Sequence, residues 1–162
     1  VLKIEGRGRA ADYVATVIKT YREAIDSYYE GAFTKEKIST WMQALATVYN
    51  RGFWSGYYLG QKLGEWSDNP GSNATQKKVY VGKGMHYFPK SNIAEFKIEA
   101  YDIKKGDKIL ITGPSTGAQE LILEDFFVND ASSEKATKGD SCTLKVPFRI
   151  RLSDKMYKIV EN

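Results

Sequence analysis

The sequence is poor in the residues on which most active sites and metal centres depend. Its 162 residues include one cysteine, Cys142, and one histidine, His86. A single cysteine excludes an internal disulfide and any site with several cysteine ligands, and it is typical of a reducing compartment, so we expect a cytoplasmic protein. No HExxH, Walker, GxGxxG or GxSxG motif is present. We therefore expect no cofactor in this chain and no complete catalytic machinery, and we interpret His86 as structural.

Long apolar runs and a strong charge asymmetry are also missing. The apolar runs are too short to cross a bilayer, so we expect no membrane contact. The chain opens without a charged and then apolar leader, so the sequence predicts no signal peptide. The formal net charge is +4. Such mild basicity permits contact with nucleic acid but does not require it.

The first half of the sequence has the periodicity of amphipathic helices. Apolar residues recur every three or four positions over residues 10–29 and again over residues 34–49, with Thr34 as the expected N-cap of the second helix. The first apolar stripe comprises Val14, Val17, Ile18, Tyr21, Ile25 and Tyr28. Left open, it would form a large contact patch. We therefore expect it to be covered by the second helix, by residues 1–4 or by a second copy of the chain.

The second half has the pattern of short strands. A polar, turn-rich stretch over residues 67–73 marks a boundary, so we divide the chain into a helical segment, residues 1–66, and a strand-rich domain, residues 77–162. Six strands are predicted, over residues 78–87, 93–101, 108–112, 120–128, 141–150 and 156–160. Short strands with frequent turns predict a small six-stranded antiparallel β-barrel, and hence an α+β fold class.

One predicted strand, residues 141–150, combines an apolar face with a basic face. The inward side chains are Leu144, Val146, Phe148, Ile150 and Leu152, and the outward ones are Lys145, Arg149 and Arg151. Pro147 cannot donate a ladder hydrogen bond and marks an edge or a bulge. The three outward cations are candidate contacts for RNA phosphates. Alternatively, they form a solvated edge that resists strand pairing.

Two blocks of the helical half resemble the collagenase-like peptidase family of unknown catalytic type (type U, family thirty-two). The first block is residues 3–7 followed by 13–17 and 21–26, and the second is residues 50–53 followed by Gly56 and Tyr57. Residues 107–114 with Gly139 and Asp140 resemble the family's C-terminal barrel, which is similar to the second domain of elongation factor Tu. The resemblance covers the first 60 residues most strongly.

The resemblance implies that this chain is the C-terminal region of a longer protein. Its expected partner is then its own N-terminal catalytic barrel, whose cysteines hold an iron–sulfur cluster in some family members. Some members resemble prephenate-dependent factors that hydroxylate tRNA or ribosomal RNA, and others carry the name peptidase or collagenase. In a chain cut off from that barrel, we expect self-association through the first helix.

The resemblance also implies candidate substrate-binding residues in the helical half. Residues 3–7 correspond to the last strand of the catalytic barrel, where side chains at the strand end point into the active-site mouth. Arg7 could hold a carboxylate or phosphate with Glu5 orienting it; alternatively, the two form an ion pair. Arg51 could contact a phosphate while Phe53 stacks on a base; alternatively, the aromatic residues fill the seam between helices and barrel.

The function predicted from the sequence is that of an accessory module. It would position tRNA or rRNA for a catalytic domain outside this chain, with Lys145, Arg149 and Arg151 as the RNA contacts. Two alternatives stay open: a domain that presents protein substrate to a true peptidase or collagenase, and a structural cap. Nothing in the catalytic chemistry of the sequence decides between them.

Overall fold

A computed structural model describes residues 2–54, 56, 60 and 71–162. The chain divides into two compact units, Val1–Lys77 with Asn162 (unit 1) and Lys78–Glu161 (unit 2). Most of the predicted boundary, residues 67–73, and Tyr57 of the second family block lie outside the described residues. No helix among the described residues is long and apolar enough to cross a membrane.

Unit 1 contains the two predicted helices, α1 (Ala11–Tyr29) and α2 (Lys35–Ala46). The N-cap prediction for α2 is confirmed, because the Thr34 hydroxyl accepts a hydrogen bond from the Lys37 N–H at 3.3 Å. The helix ends three residues before the predicted end, where the Thr47 N–H turns back to the Ala44 carbonyl at 3.2 Å. Both helices are confirmed, with shifted ends.

The buried face of α1 differs from its most apolar stripe. Val17, Thr20 and Ser27 are the buried residues of the helix, and the Lys37 ammonium donates a hydrogen bond to the Ser27 hydroxyl at 3.1 Å. By contrast, Ile18 is 50% exposed and Tyr28 is 69% exposed. The rest of this chain therefore covers the apolar stripe of α1 only in part. That a second copy of the chain covers the remainder stays a prediction.

Unit 2 is built from ten strands. They are β1 (Gln76–Phe88), β2 (Ile93–Ile98), β3 (Ile103–Lys104), β4 (Lys108–Gly113), β5 (Gly117–Ile122), β6 (Phe126–Val128), β7 (Ala131–Ser133), β8 (Lys135–Ala136), β9 (Ser141–Lys145) and β10 (Lys155–Glu161). Eight form one antiparallel sheet in the order β5-β4-β10-β1-β2-β9-β6-β7, and β3 pairs with β8. The core contains Val81, Phe96, Ile98, Ile109, Ile111, Phe126, Leu144 and Met156.

The predicted closed six-stranded barrel, resembling the second domain of elongation factor Tu, is wrong. Among the described residues the eight-stranded sheet is open, with β5 at one end and β7 at the other. The single strand predicted over residues 120–128 would have joined the two ends, because its first part pairs with β4 and its last part with β9. It is divided after Ile122: the Leu123 N–H still donates to the Asp107 carbonyl at 2.8 Å, in the register of the β4–β5 pair, and its carbonyl accepts from the Gly106 N–H at 2.7 Å. Pairing with β9 begins only at Phe126.

The predicted strand over residues 141–150 is also shorter than expected. β9 ends at Lys145, two residues before Pro147, which has no N–H to donate. The Val146 N–H donates instead to the Asn92 carbonyl at 2.8 Å. The alternation of burial continues without the strand, because Val146 and Ile150 are buried. Leu152 does not follow it and is 73% exposed, so its predicted inward position is wrong.

Cys142 lies in the core of unit 2. It is fully buried in β9, and burial raises the pKa of its thiol to about 12. A thiol held in its neutral form is a poor nucleophile and a poor metal ligand. Cys142 is therefore a small buried apolar side chain of the core.

We predict that Gly82→Ala destabilises unit 2, because β1 and β2 approach each other closely at this residue. A Cβ at Gly82 would overlap the backbone carbonyl of Lys97, the residue before its cross-strand partner Ile98, and this carbonyl cannot move without disturbing the sheet. The expected loss in the free energy of unfolding is about 1–3 kcal/mol, measured by chemical denaturation. The control is Gly71→Ala, where a Cβ meets no atom within 4 Å. Equal stability of the two variants would contradict the close approach.

Candidate functional site

A pocket of about 440 Å³ lies in unit 1, between the N-terminal segment and the ends of the two helices. Its lining residues are Leu2, Lys3, Ile4, Glu5, Arg9, Tyr13, Val17, Tyr21, Leu45, Val48, Tyr49, Asn50, Arg51, Gly52 and Phe53. Glu5, Arg51 and Phe53, three of the predicted substrate-binding residues, therefore line one cavity. The wall mixes apolar side chains with three cations and one carboxylate.

Tyr49 is the centre of the polar wall of this pocket. The Arg9 guanidinium lies 3.7 Å from the centroid of the Tyr49 ring, and Arg51 Nε donates a hydrogen bond to the Tyr49 hydroxyl at 2.9 Å. Hydrogen bonds from Arg51 and then from Arg9, together with the charges of both groups, lower the pKa of Tyr49 below its ordinary value. One phenol thus holds two guanidinium groups beside the cavity.

Two tight turns bring these cations to the pocket. The Arg9 N–H donates to the Gly6 carbonyl at 3.0 Å, and Gly8 between them has a φ of 72°. On the other side, the Asn50 side-chain oxygen accepts a hydrogen bond from the Gly52 N–H at 3.1 Å, and Gly52 has a φ of 95°. Positive φ values favour glycine, so the glycines permit the turns that position the two arginines.

Glu5 and Arg7 contact each other, but not through the predicted ion pair. The Glu5 carboxylate accepts a hydrogen bond from the Arg7 backbone N–H at 2.9 Å, so this contact runs through the backbone and not the guanidinium. Glu5 lines the pocket, but Arg7 is not among its lining residues. The substrate-binding role predicted for Arg7 thus stays untested.

The other predicted residues lie in unit 2, on the segment that we call the basic turn, residues 145–151. Lys145, Arg149 and Arg151 are all exposed, as predicted, and none of them forms an ion pair with a described residue. Lys145 lines a groove of about 490 Å³ together with residues 121–125, Leu144 and Pro147. The sequence identified these cations correctly as surface groups although the strand ends early.

A buried carboxylate fixes the end of the basic turn. Asp154 is 2% exposed and accepts hydrogen bonds from the Arg151 N–H at 2.8 Å and the Thr116 hydroxyl at 2.5 Å. Its backbone carbonyl accepts a further hydrogen bond from the Gly84 N–H at 2.7 Å. The sequence analysis missed Asp154, because a single aspartate in a turn is common. It also missed Arg9 and Tyr49, although their proximity to residues 3–7 and 50–53 was visible.

The described residues contain neither a cluster of metal ligands nor a histidine placed in a pocket. No group of three or more His, Cys, Asp or Glu side chains there could hold a metal ion. His86 is exposed and stacks edge-on against Phe88, with ring centroids 4.4 Å apart. This contact agrees with the structural interpretation of His86.

We predict that Tyr49 titrates earlier than an ordinary tyrosine and that Arg51→Ala raises its pKa. The arginine favours the phenolate, so its removal makes deprotonation harder. In an alkaline titration followed by ultraviolet absorbance, the earliest phenol should disappear in Tyr49→Phe and shift to higher pH in Arg51→Ala. Arg22→Ala is the control, because Arg22 pairs with Asp26 on α1 and does not line the pocket. Identical curves for the parent and Arg51→Ala would contradict the contact.

Comparisons with known proteins agree with the resemblance seen in the sequence. A collagenase of Porphyromonas gingivalis is 49% identical over 158 residues, which are 98% of this chain and 38% of that protein. An uncharacterized protease of Methanocaldococcus jannaschii is 34% identical over 162 residues, covering 98% of this chain and 39% of its own length. The tRNA hydroxylation protein P1 of Bacillus subtilis is 29% identical over 139 residues, 85% of this chain and 32% of that protein.

This chain spans about two fifths of the length of the collagenase and protease relatives that it matches. Residues 1–68 match the profile described as peptidase family U32, and they include both blocks on which the predicted resemblance depends. The pocket residues Glu5, Arg9, Tyr49, Arg51 and Phe53 all lie within this match. The predicted resemblance is therefore confirmed, and over residues 1–68 the chain belongs to peptidase family U32.

Proposed function

We propose that this chain is an accessory module of a longer U32-family protein and that unit 2 positions tRNA or rRNA for a catalytic barrel outside the chain. The observation that carries the proposal is the basic turn. It presents Lys145, Arg149 and Arg151 to solvent, each without an acid partner among the described residues. Exposed cations that are not already neutralised are the groups that contact phosphates.

The contrast with other lysines of unit 2 supports this interpretation. Lys83, Lys105, Lys108 and Lys135 form ion pairs at 2.7–2.9 Å with acids of the same unit. Those charges are balanced within the fold, whereas the charges of the basic turn are not. A polyanion at the basic turn therefore competes with no internal carboxylate and meets three cations within seven residues.

The fixed backbone of the turn adds to the argument. Asp154 holds the Arg151 N–H at 2.8 Å, and the Val146 N–H is held by Asn92 at the other end. Binding then costs the ordering of side chains but not of the backbone, which leaves more of the contact energy for affinity. The relative from Bacillus subtilis is named a tRNA hydroxylation protein, and its match covers 85% of this chain, which agrees with an RNA substrate.

A second candidate function is the presentation of a protein substrate. The Porphyromonas gingivalis relative is named a collagenase. The groove of about 490 Å³ is partly lined by Leu121 and Ile122 of β5, an end strand of the sheet, and Ile122 is 55% exposed. An extended peptide can add to such an edge strand through backbone hydrogen bonds. RNA is the first choice, because the cations of the basic turn lack internal partners.

We predict that the triple variant Lys145→Ala, Arg149→Ala, Arg151→Ala binds tRNA more weakly than the parent chain. Each phosphate contact contributes about 0.7–0.9 to the slope of log affinity against log salt. The slope should therefore decrease in magnitude by about 2–3 in the triple variant if all three side chains contact phosphate. Fluorescence anisotropy with labelled tRNA over a series of salt concentrations measures both quantities.

The matched control is the triple variant Lys90→Ala, Lys104→Ala, Lys138→Ala. It removes the same charge from three exposed positions of unit 2 outside the basic turn. We expect it to bind with an affinity close to that of the parent and with an unchanged slope. Equal losses in both variants, or no detectable binding by the parent at low salt, would refute RNA positioning by this face. Binding of a collagen-derived peptide that Ile122→Asp abolishes would then favour the second candidate.

A further inference from the structure

We propose that the pocket of unit 1 binds a phosphate monoester attached to an apolar body, with Arg9 and Arg51 as the phosphate clamp. The inference concerns residues different from those of the basic turn and does not depend on RNA binding. It begins from the arrangement around Tyr49. The Arg9 guanidinium lies 3.7 Å from the ring centroid, and Arg51 Nε donates to the hydroxyl at 2.9 Å.

The first step concerns the geometry of the two arginines. Arg51 uses Nε on the Tyr49 hydroxyl, which leaves the outer N–H groups of its guanidinium for a ligand. The Arg9 guanidinium contacts the ring through a cation–π interaction and also a hydrogen bond to the Tyr49 side chain, which leaves its other N–H donors for a ligand. Tyr49 therefore holds both guanidinium groups in place without satisfying them. Guanidinium groups held in this way match the tetrahedral oxygens of a phosphate.

The second step concerns charge. The pocket is lined by the cations Lys3, Arg9 and Arg51 and by the single anion Glu5, which leaves an excess of two positive charges. None of these cations forms an ion pair with a described residue. A phosphate monoester carries close to two negative charges above pH 7, because its second pKa is about 6. It matches the excess better than a carboxylate, which carries one.

The third step concerns the apolar wall. Ile4 and Phe53 line the pocket and are 38% and 49% exposed, and Val48 lines it as well. A cavity of about 440 Å³ is within the range of small-ligand sites, which are roughly 300–1,000 Å³. It is much larger than inorganic phosphate requires. The ligand is therefore an ester whose organic part packs against these side chains, and an aryl phosphate is the simplest case.

The test is isothermal titration of the full chain at pH 7.5 with three probes: phenyl phosphate, inorganic phosphate and benzoate. We expect phenyl phosphate to bind more tightly than either of the others, since only it combines the dianion with the apolar body. Arg9→Ala and Arg51→Ala should each weaken phenyl phosphate binding about tenfold or more, because each removes a charge-assisted contact. Arg22→Ala, outside the pocket, should bind as the parent does.

Two further measurements separate a clamp from a merely structural role. Arg51→Lys keeps the charge but lacks the planar fork, so we expect an affinity between those of the parent and Arg51→Ala. Saturation with phenyl phosphate should also raise the pKa of Tyr49, because a nearby dianion disfavours the phenolate. Neither result is expected if the variants only disturb the fold.

The proposal is overturned if phenyl phosphate does not bind, or if Arg9→Ala and Arg51→Ala both bind it as the parent does. Equal affinity for benzoate would refute the charge argument, and equal affinity for inorganic phosphate would refute the apolar wall. The basic turn is intact in all these variants. Loss of phenyl phosphate binding with unchanged tRNA binding in Arg9→Ala or Arg51→Ala would therefore concern the pocket alone. Loss of tRNA binding with unchanged phenyl phosphate binding in the triple variant of the basic turn would concern the proposed function alone.

Discussion

Asp154 joins the β4–β5 turn and the segment between β9 and β10 through its carboxylate, and β1 through its backbone carbonyl, and the arrangement around the basic turn depends on it. It accepts from the Thr116 hydroxyl and the Arg151 N–H, and its own carbonyl accepts from the Gly84 N–H. A carboxylate that is 2% exposed is tolerated only when such donors replace water. Gly113 allows the close approach, since a Cβ there would overlap the Asp154 carboxylate. One buried charge thus organises a turn whose own cations stay in solvent.

The strands were largely predictable from local patterns, whereas the closure of the sheet was not. Alternating apolar residues located β1, β2, β4 and β10 within a few residues. The break lies over residues 123–125, between the last pairing with β4 and the first pairing with β9, and this change of partner leaves no mark in the alternation. A barrel and an open sheet have the same strand pattern. The difference between them is the continuity of one strand, which is a tertiary property.

The candidate sites show the same division between local and tertiary information. Glu5, Arg51 and Phe53 were identified from the family blocks and line one pocket, but Arg9 was missed because its partner, Tyr49, lies forty positions away. On α1, the most apolar stripe was taken as the buried face. Val17 of that stripe is buried, but Thr20 and Ser27 are buried beside it, because small polar side chains allow close helix packing and Ser27 is hydrogen-bonded to Lys37. The hydropathy pattern alone does not predict that Lys37 is the hydrogen-bond partner of Ser27.

The two units use positive charge in different ways, and the difference bears on what each could bind. In unit 1, Arg9 and Arg51 are fixed against Tyr49 beside a cavity, so their positions are set before any ligand arrives. In unit 2, hydrogen bonds hold the backbone at both ends of the basic turn, while the side chains of Arg149 and Arg151 are exposed and form no ion pair with a described residue. Preorganised cations favour a small ligand of defined shape. Exposed cations without an ion-pair partner favour an extended polyanion with several phosphates.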